Sequence, residues 1–318
     1  MKIVILDGNT VSQGDLSWSM LDELAEVEVY DRTSAEDVVK RCKDAEMVLT
    51  NKVVLDSFTL NQLPRLMYIG VLATGYNVVD LEAAEKQNIV VTNIPAYSTK
   101  SVAQMVFSHL LNIVSMVGKY AERNREGEWA RSEDFCYLRH NLFELSGKRF
   151  GIVGLGNIGM EVAKIASAFD MEVLAYTSKT GDLPYGIRRV SLDEVFTSSD
   201  IISLHCPLNE ETHHMVDAKR LKSMKPSAIL INTGRGPLVK DDELAEALNA
   251  NVIAAYGADV MTVEPPEANN QLLKAKNCYL TPHIAWATRE ARQRLMHICR
   301  DNIKAFLDGK PVNVVGRG

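Results

Sequence analysis

Along the first third of the chain, short β-rich apolar runs fall at residues 2–6, 27–30, 47–50, 67–70 and 89–91. Segments with helical spacing of apolar positions lie between them, as at 35–42 and 81–87. Such alternation predicts parallel strands joined by crossover helices, an α/β class. A long helical pattern follows over 98–125, with Val102, Val106, Leu110, Ile113, Val114 and Val117 recurring at helical spacing. It is too polar to span a membrane, and it suits an interdomain or subunit contact as well as simple core packing. A second α/β series then predicts strands at 150–153, 172–176, 201–204, 228–231, 253–258 and 279–280. A last helix over 289–307 stops at Gly309 and Pro311.

The 318 residues are enough for about two domains. The net charge of -6 is spread along the chain, and no basic block is long enough to neutralise a phosphate backbone, which argues against nucleic-acid binding. The five cysteines are scattered, odd in number and free of C-x-x-C spacing, so neither a disulfide framework nor a zinc site is indicated. The first residues read as a strand and not a signal peptide. No apolar stretch approaches the ~20 residues of a membrane span. These features predict a soluble protein of a reducing compartment, the cytoplasm, with no membrane partner and no metal.

The strand-like residues 149–153 run into Gly154-Leu155-Gly156-Asn157-Ile158-Gly159, and Val162, Ile165, Ala166 and Phe169 continue at helical spacing. The first glycine of such a turn permits a tight bend, the second lets the backbone approach a pyrophosphate, and the third lets helix and strand pack closely. The helix start then offers unpaired N–H groups to the phosphates. A plain tight turn is the alternative, and the strand before and helix after argue against it. An acid that holds a ribose 2′-hydroxyl is expected about 20 residues on. The next strand ends instead in Thr177-Ser178-Lys179-Thr180, with no carboxylate. Losing the acid removes repulsion against a 2′-phosphate, and Lys179 with the neighbouring hydroxyls suits one, which tilts the choice toward NADP. Lys179 as a solvated loop charge beside bound NAD is the other reading, and both stay open.

Three later strand ends carry polar groups. Asn232-Thr233-Gly234-Arg235-Gly236 places an arginine where a fork-like grip on a carboxylate is possible. The run 254–258 leads to Asp259, with Glu264 beyond it, and 279–282 leads to His283. Histidine is suited to proton transfer near neutral pH, and a carboxylate partner favours its protonated form. Singly, Arg235 reads as a surface loop residue and His283 as a structural histidine; an Arg, a Glu and a His after a nucleotide turn shift that reading. His213 and His214, being adjacent, are expected on different faces, and His109 has no partner legible in the sequence.

Several ordered motifs then carry a resemblance: Leu72-Ala73-Thr74-Gly75-Tyr76-Asn77, the Gly154 turn, His205-Cys206-Pro207-Leu208, Asn232–Gly236, Asp259-Val260, Glu264-Pro265 and Pro282-His283-Ile284-Ala285-Trp286. Over essentially its whole length the chain resembles the D-isomer-specific 2-hydroxyacid dehydrogenases, and from His283 to Arg292 it is most similar to their glycerate dehydrogenase (hydroxypyruvate reductase) branch.

That resemblance implies two doubly wound parallel-sheet domains. A Rossmann dinucleotide-binding domain, 98–285, would be inserted into a flavodoxin-like substrate domain, 1–97 and 286–318, with a hinge near Pro95 and Trp286. It implies a homodimer with the long helix and residues 127–145 at the interface. His283 would be the acid/base and Glu264 its partner. Arg235 would hold the carboxylate and keto oxygen of a small 2-keto or 2-hydroxy acid, with the amides of Ala73, Thr74 and Gly75, and Trp286 nearby. Asp259 would orient the nicotinamide carboxamide. Val102, Ile158, His205, Cys206, Pro207, Thr212, Thr233, Gly234 and Ala285 would line the cofactor with the glycine turn, Arg235 and His283. The family's NAD-preferring members carry an aspartate at the position of Thr177, so the resemblance does not decide between NAD and NADP. The substrate expected is hydroxypyruvate/D-glycerate or glyoxylate. The rival readings are a non-enzymatic dinucleotide sensor and a formate or phosphite dehydrogenase on the same scaffold.

Overall fold

The apolar runs form two parallel sheets, each in its own part of the chain. The computed structural model describes residues 1–316; Arg317 and Gly318, the end of the second expected substrate segment, lie outside the described residues. The chain divides into two units, Met1–Ser98 with Trp286–Gly318, and Thr99–Ala285.

In the first unit the sheet order is β2-β1-β3-β4-β5. Its strands are β1 (Lys2–Ile5), β2 (Glu26–Val29), β3 (Met47–Thr50), β4 (Tyr68–Val71) and β5 (Val90–Thr92), all parallel. Strands β3 and β4 are buried at every residue, as parallel strands covered on both faces must be. The edge strand β2 alternates Glu and Val and buries none of them fully. One face packs against short helices through Val38, Leu60, Ala83 and Ala84. The other is covered by the Arg289–Leu307 helix, whose Ala291, Leu295, Cys299 and Ile303 make a one-sided stripe. Thr288 caps that helix by accepting from the Ala291 amide, and Glu290 complements the dipole in its first turn.

In the second unit the order is β12-β11-β10-β9-β6-β7-β8. The strands are β6 (Arg149–Val153), β7 (Glu172–Tyr176), β8 (Arg188–Arg189), β9 (Ile201–Leu204), β10 (Ile229–Asn232), β11 (Ala255–Ala258) and β12 (Cys278–Leu280). From β6 the chain winds outward through β7 and β8, then returns to β9 on the other side of β6 and winds the opposite way. The reversal leaves a crevice at the carboxyl ends of β6 and β9, the place where open α/β sheets collect ligands. The Thr99–Ser115 and Asn157–Ala168 helices seal one face through Val106, Leu110, Val162 and Ala166, and the Asp241–Asn249 helix helps seal the other through Leu244 and Leu248.

Two sequence expectations change. The helix over 98–125 is two helices, Thr99–Ser115 and Val117–Arg125, bent by 55° at Met116, which sits in the left-handed region. The cause is burial: the first segment carries the whole apolar stripe into the core, whereas the second buries nothing and leaves Val117 68% exposed. Strand β8 was not expected, because two arginines carry no apolar signal; it exists through its pairing with Leu174 and Ala175. No single helix among the described residues is long and apolar enough to cross a membrane.

Candidate active site

The glycine turn opens the crevice. Gly154 has φ +95°, and a Cβ there would lie 2.6 Å from the Cys206 amide nitrogen, so the loops after β6 and β9 touch. A Cβ on Gly159 would lie 2.2 Å from the Gly154 carbonyl oxygen, which leaves glycine as the residue that closes the helix onto the strand. Gly156 faces open space, with nothing within 4 Å of a Cβ. The Asn157–Ala168 helix starts there without a side-chain cap, and its first amides have no helical acceptor. At the end of β10 the Thr233 hydroxyl is buried without a hydrogen-bond partner among the described residues. An open glycine cradle, uncapped amides and an orphaned hydroxyl fit a dinucleotide whose pyrophosphate sits on the helix start.

The end of β7 is exposed. Thr177 is half-buried, while Ser178 and Lys179 face solvent. The Lys179 amide donates to the Thr177 hydroxyl at 3.2 Å, and Arg189 of β8 donates to the Gly181 carbonyl at 2.9 Å. Arg189 is therefore a second cation over this loop, one that sequence reasoning missed because β8 has no apolar pattern.

After β9, the His205 ring meets the Ser203 hydroxyl at 2.8 Å, and burial pushes the imidazole down to about 4, so it stays neutral at ordinary pH. Burial also pushes the Cys206 thiol up, and its Sγ points at the Met215 sulfur 3.7 Å away. Pro207 and Thr212 belong to one turn: the Thr212 hydroxyl donates to the Pro207 carbonyl at 2.7 Å and accepts from the Asn209 amide. His213 and His214 do not diverge as expected. Their rings stack at 3.8 Å, because His214 adopts a left-handed backbone that turns both to one side.

At the ends of β10 to β12 the charged groups gather. Arg235 is exposed after β10, with a guanidinium N–H on its own Gly234 carbonyl at 2.9 Å. The Asn232 side chain pins that turn, donating to the Arg235 carbonyl and accepting from the Gly234 amide. Asp259, 1% exposed after β11, accepts from the Thr281 hydroxyl at 2.6 Å and from the amides of Ile284 and Ala285 at 2.9 and 2.7 Å. His283 has φ +54° inside this clasp. Its Nδ1 lies 2.6 Å from Glu264 Oε2, and Glu264 Oε1 accepts from the Met261 amide at 3.0 Å. An imidazole held by a carboxylate at one nitrogen is oriented to exchange a proton at the other.

Residues 107–285 match the family model of the D-isomer specific 2-hydroxyacid dehydrogenase NAD binding domain. A hydroxypyruvate reductase of Blautia hydrogenotrophica is 46% identical over 100% of both chains. A glycerate dehydrogenase of Methylorubrum extorquens is 40% identical over 99% of this chain and 98% of its own. The solved structure of an acyclic imino acid reductase in complex with NADPH and D-Arg superposes with a TM-score of 0.87 at 31% identity, covering 99% of this chain and 100% of that one. The chain belongs to the D-isomer specific 2-hydroxyacid dehydrogenases. It is accordingly an NAD(P)-dependent oxidoreductase that acts on CH–OH donors.

Within the dehydrogenase, the sequence-derived residues Gly154–Gly159, His205–Pro207, Thr233–Arg235, Asp259, Glu264, His283 and Ala285 all fall at carboxyl ends of strands of one sheet. Val102 is buried on the Thr99–Ser115 helix, and Ile158 packs against the same core. Ala73, Thr74, Gly75 and Trp286 belong to the other unit. There the Ala73 and Thr74 carbonyls accept from Ile94 N and Asn93 Nδ2, and the Thr74 hydroxyl donates to the Ile94 carbonyl. The amides of Ala73, Thr74 and Gly75 have no acceptor among the described residues. Trp286 packs against the sheet face covered by the last helix. Sequence reasoning also missed Thr281 and Met261, whose only signal was to sit two and three residues from His283 and Glu264.

Proposed function

We propose that this dehydrogenase reduces hydroxypyruvate to D-glycerate, with glyoxylate as a second substrate, and that it accepts NADPH as well as NADH. The observation that carries the catalytic reading is the 2.6 Å bond between His283 Nδ1 and Glu264 Oε2 at the mouth of a dinucleotide crevice. The reduced nicotinamide, when bound, supplies the hydride to the carbonyl carbon. Arg235 grips the substrate carboxylate and stabilises negative charge growing on the keto oxygen. Glu264 orients His283 through Nδ1, and His283 gives a proton from Nε2 to that oxygen. In the reverse direction the same nitrogen removes the hydroxyl proton. The amide-lined turn at Ala73–Gly75 has, by itself, the donor set for a carboxylate. Asp259 is already engaged by loop 281–285: its Oδ1 accepts from Thr281 and Ile284, whereas Oδ2 accepts from Ala285 and keeps a further lone pair for a carboxamide.

Three observations support the finer points. The names of the relatives at 46% and 40% identity favour hydroxypyruvate and glycerate. The loop after β7 has cations and hydroxyls and no carboxylate from Thr177 to Gly181, which favours tolerance of a 2′-phosphate. Residues 117–142 expose Val117, Trp129, Phe135, Leu138 and Leu142, an apolar arm suited to a second copy of the chain. A homodimer in the cytoplasm is the corresponding assembly; the cysteines are unpaired, as a reducing compartment requires.

The test is oxidation of NADH and NADPH by the purified protein with hydroxypyruvate, glyoxylate, pyruvate and 2-ketobutyrate. The highest kcat/KM is expected with hydroxypyruvate, and with both cofactors. Cofactor binding without turnover on any of the four would make the protein a sensor and overturn the reading.

A further inference from the structure

The loop that carries His283 is held from behind by the Thr99–Ser115 helix, at two points. Before the histidine, the Nε2 of His109 lies 3.1 Å from the Thr281 hydroxyl. After it, the Ser101 hydroxyl donates to the Ala285 carbonyl at 2.6 Å. Thr281 is joined directly to His283, whose amide donates to the Thr281 carbonyl at 3.0 Å across a tight turn. His109 is 5% exposed, and its ring lies against β11, where a Cβ on Gly257 would come within 2.9 Å of the His109 Cβ. The sequence gives no reason for an imidazole here, since a core position on an apolar helix face favours a hydrocarbon.

The hydrogen-bond inventory fixes which group donates. The Thr281 hydroxyl has one proton and a carboxylate has none to give. The proton goes to Asp259 Oδ1 at 2.6 Å, the alternative acceptor being the Ala258 carbonyl at 3.4 Å. The Thr281 oxygen can then only accept from His109, so His109 carries its proton on Nε2. Burial lowers the proton affinity of the ring and the Asp259 charge opposes that; the net direction is down, toward the neutral imidazole this assignment uses. The chain of donors runs His109 to Thr281 to Asp259, and Asp259 clasps the amides on the far side of His283.

We propose that His109 is a positioning residue for the dehydrogenase's proton transfer: its Nε2–H locks Thr281, and through Thr281 the turn that presents His283. The proposal rests on His283 being the proton carrier. Positioning errors near 1 Å cost large factors in rate while leaving a cofactor site elsewhere in the crevice untouched. His109 therefore acts on kcat and leaves KM for cofactor alone.

The experiment compares His109→Leu with His109→Gln, whose amide can donate from nearly the same place, and Thr281→Val with Thr281→Ser. Steady-state kinetics with hydroxypyruvate and direct cofactor binding are measured for each. His109→Leu should lower kcat about tenfold, ~1.4 kcal/mol, the scale of one lost donor, with the cofactor Kd within about twofold of wild type; Thr281→Val, which also frees Asp259, should lower kcat at least as much. His109→Gln and Thr281→Ser should recover most of the loss. The double variant His109→Leu/Thr281→Val should be no worse than Thr281→Val alone, because losing the Thr281 hydroxyl already removes the link to His109. Wild-type kcat in His109→Leu, equal losses in Leu and Gln, or additive losses in the double variant would each overturn the proposal. If His109→Leu does not fold, the Thr281 pair decides by the same criteria. His283→Ala in the same assay separates the two levels. If it is inactive while His109→Leu is unaffected, the positioning role alone falls; if it keeps wild-type turnover, the reading of His283 falls and the proposal with it.

Discussion

Beyond β12, residues 281–285 are held by the buried Asp259 carboxylate, by His109 and by Ser101, with every one of those bonds shielded from bulk water at one end or both. Beyond β7, residues 177–181 are held by one amide-to-hydroxyl bond and one arginine, both in solvent. The two loops lie at carboxyl ends of the same parallel sheet. One carries the group that would move a proton, which has to be placed to a fraction of an ångström. The other would discriminate between a hydroxyl and a phosphate on the cofactor, which charge accomplishes over longer distances and with mobile side chains. The density of bonding follows the precision that each task demands.

The strongest way to break this comparison is at the rigid end. His283→Ala should lower kcat by roughly 100-fold or more, the scale of general acid–base catalysis, while the Kd for either cofactor stays close to wild type. Stopped-flow or steady-state turnover with parallel binding titrations checks it. A variant with near wild-type turnover removes the reason for the clasp around residues 281–285. At the loose end the largest effect is a charge. Thr177→Asp places a carboxylate where the 2′-phosphate would lie, and about tenfold loss of kcat/KM for NADPH is expected, ~1.4 kcal/mol, with little change or a gain for NADH. Equal effects on both cofactors would show that the loop after β7 does not discriminate between them.

Between these two ends stands His205, after β9 and beside the glycine turn. Burial pushes its imidazole from 6.5 to about 4. The unfolded chain therefore binds a proton between these values that the folded chain refuses. The neutral ring costs no stability above pH 6.5; the cost grows as the pH falls through the window and levels off below about 4. His205→Asn should flatten the fall of Tm between pH 7 and pH 4.5, read as a difference from wild type so that the carboxylates cancel. An unchanged slope would show that the ring is hydrated in solution.

How much of this was legible in the sequence depended on whether a residue's signal is local. The strands of both sheets other than β8, and the Arg289–Leu307 helix, follow from apolar patterning, and Gly154–Gly159 from a turn whose glycines have fixed tasks. Arg235, Glu264 and His283 were visible because each follows a strand-like run. The break at Met116 was not, because the spacing of Val117 continues the helical pattern and only the end of the core explains why it stops. Nor was the link from His109 to Thr281, which joins positions 172 residues apart through a buried hydroxyl. Strand β8 and Arg189 were missed because a two-residue strand of arginines exists by pairing alone.

The smallest predicted effect is the sharpest test of how the β7 loop works. Lys179 is solvent-exposed, so its attraction for a 2′-phosphate acts through water and ions and is worth ~0.2–1 kcal/mol, the range of exposed charge pairs. Lys179→Ala should therefore raise KM for NADPH about threefold at low salt, with NADH unaffected. A screened interaction has to fade as the Debye length shrinks to ~3 Å at 1 M salt, so the gap between variant and wild type should close as salt is added. A loss that persists at high salt would mean that Lys179 makes a desolvated contact with the phosphate. The loop would then tighten on its ligand, and the contrast with residues 281–285 would hold for the free protein alone. Arg189→Ala, measured alongside, distinguishes the two cases further, because it removes both a cation and the bond to Gly181. If the loop is held loosely and acts by charge, the Arg189 loss should be salt-sensitive like that of Lys179, and the two should add.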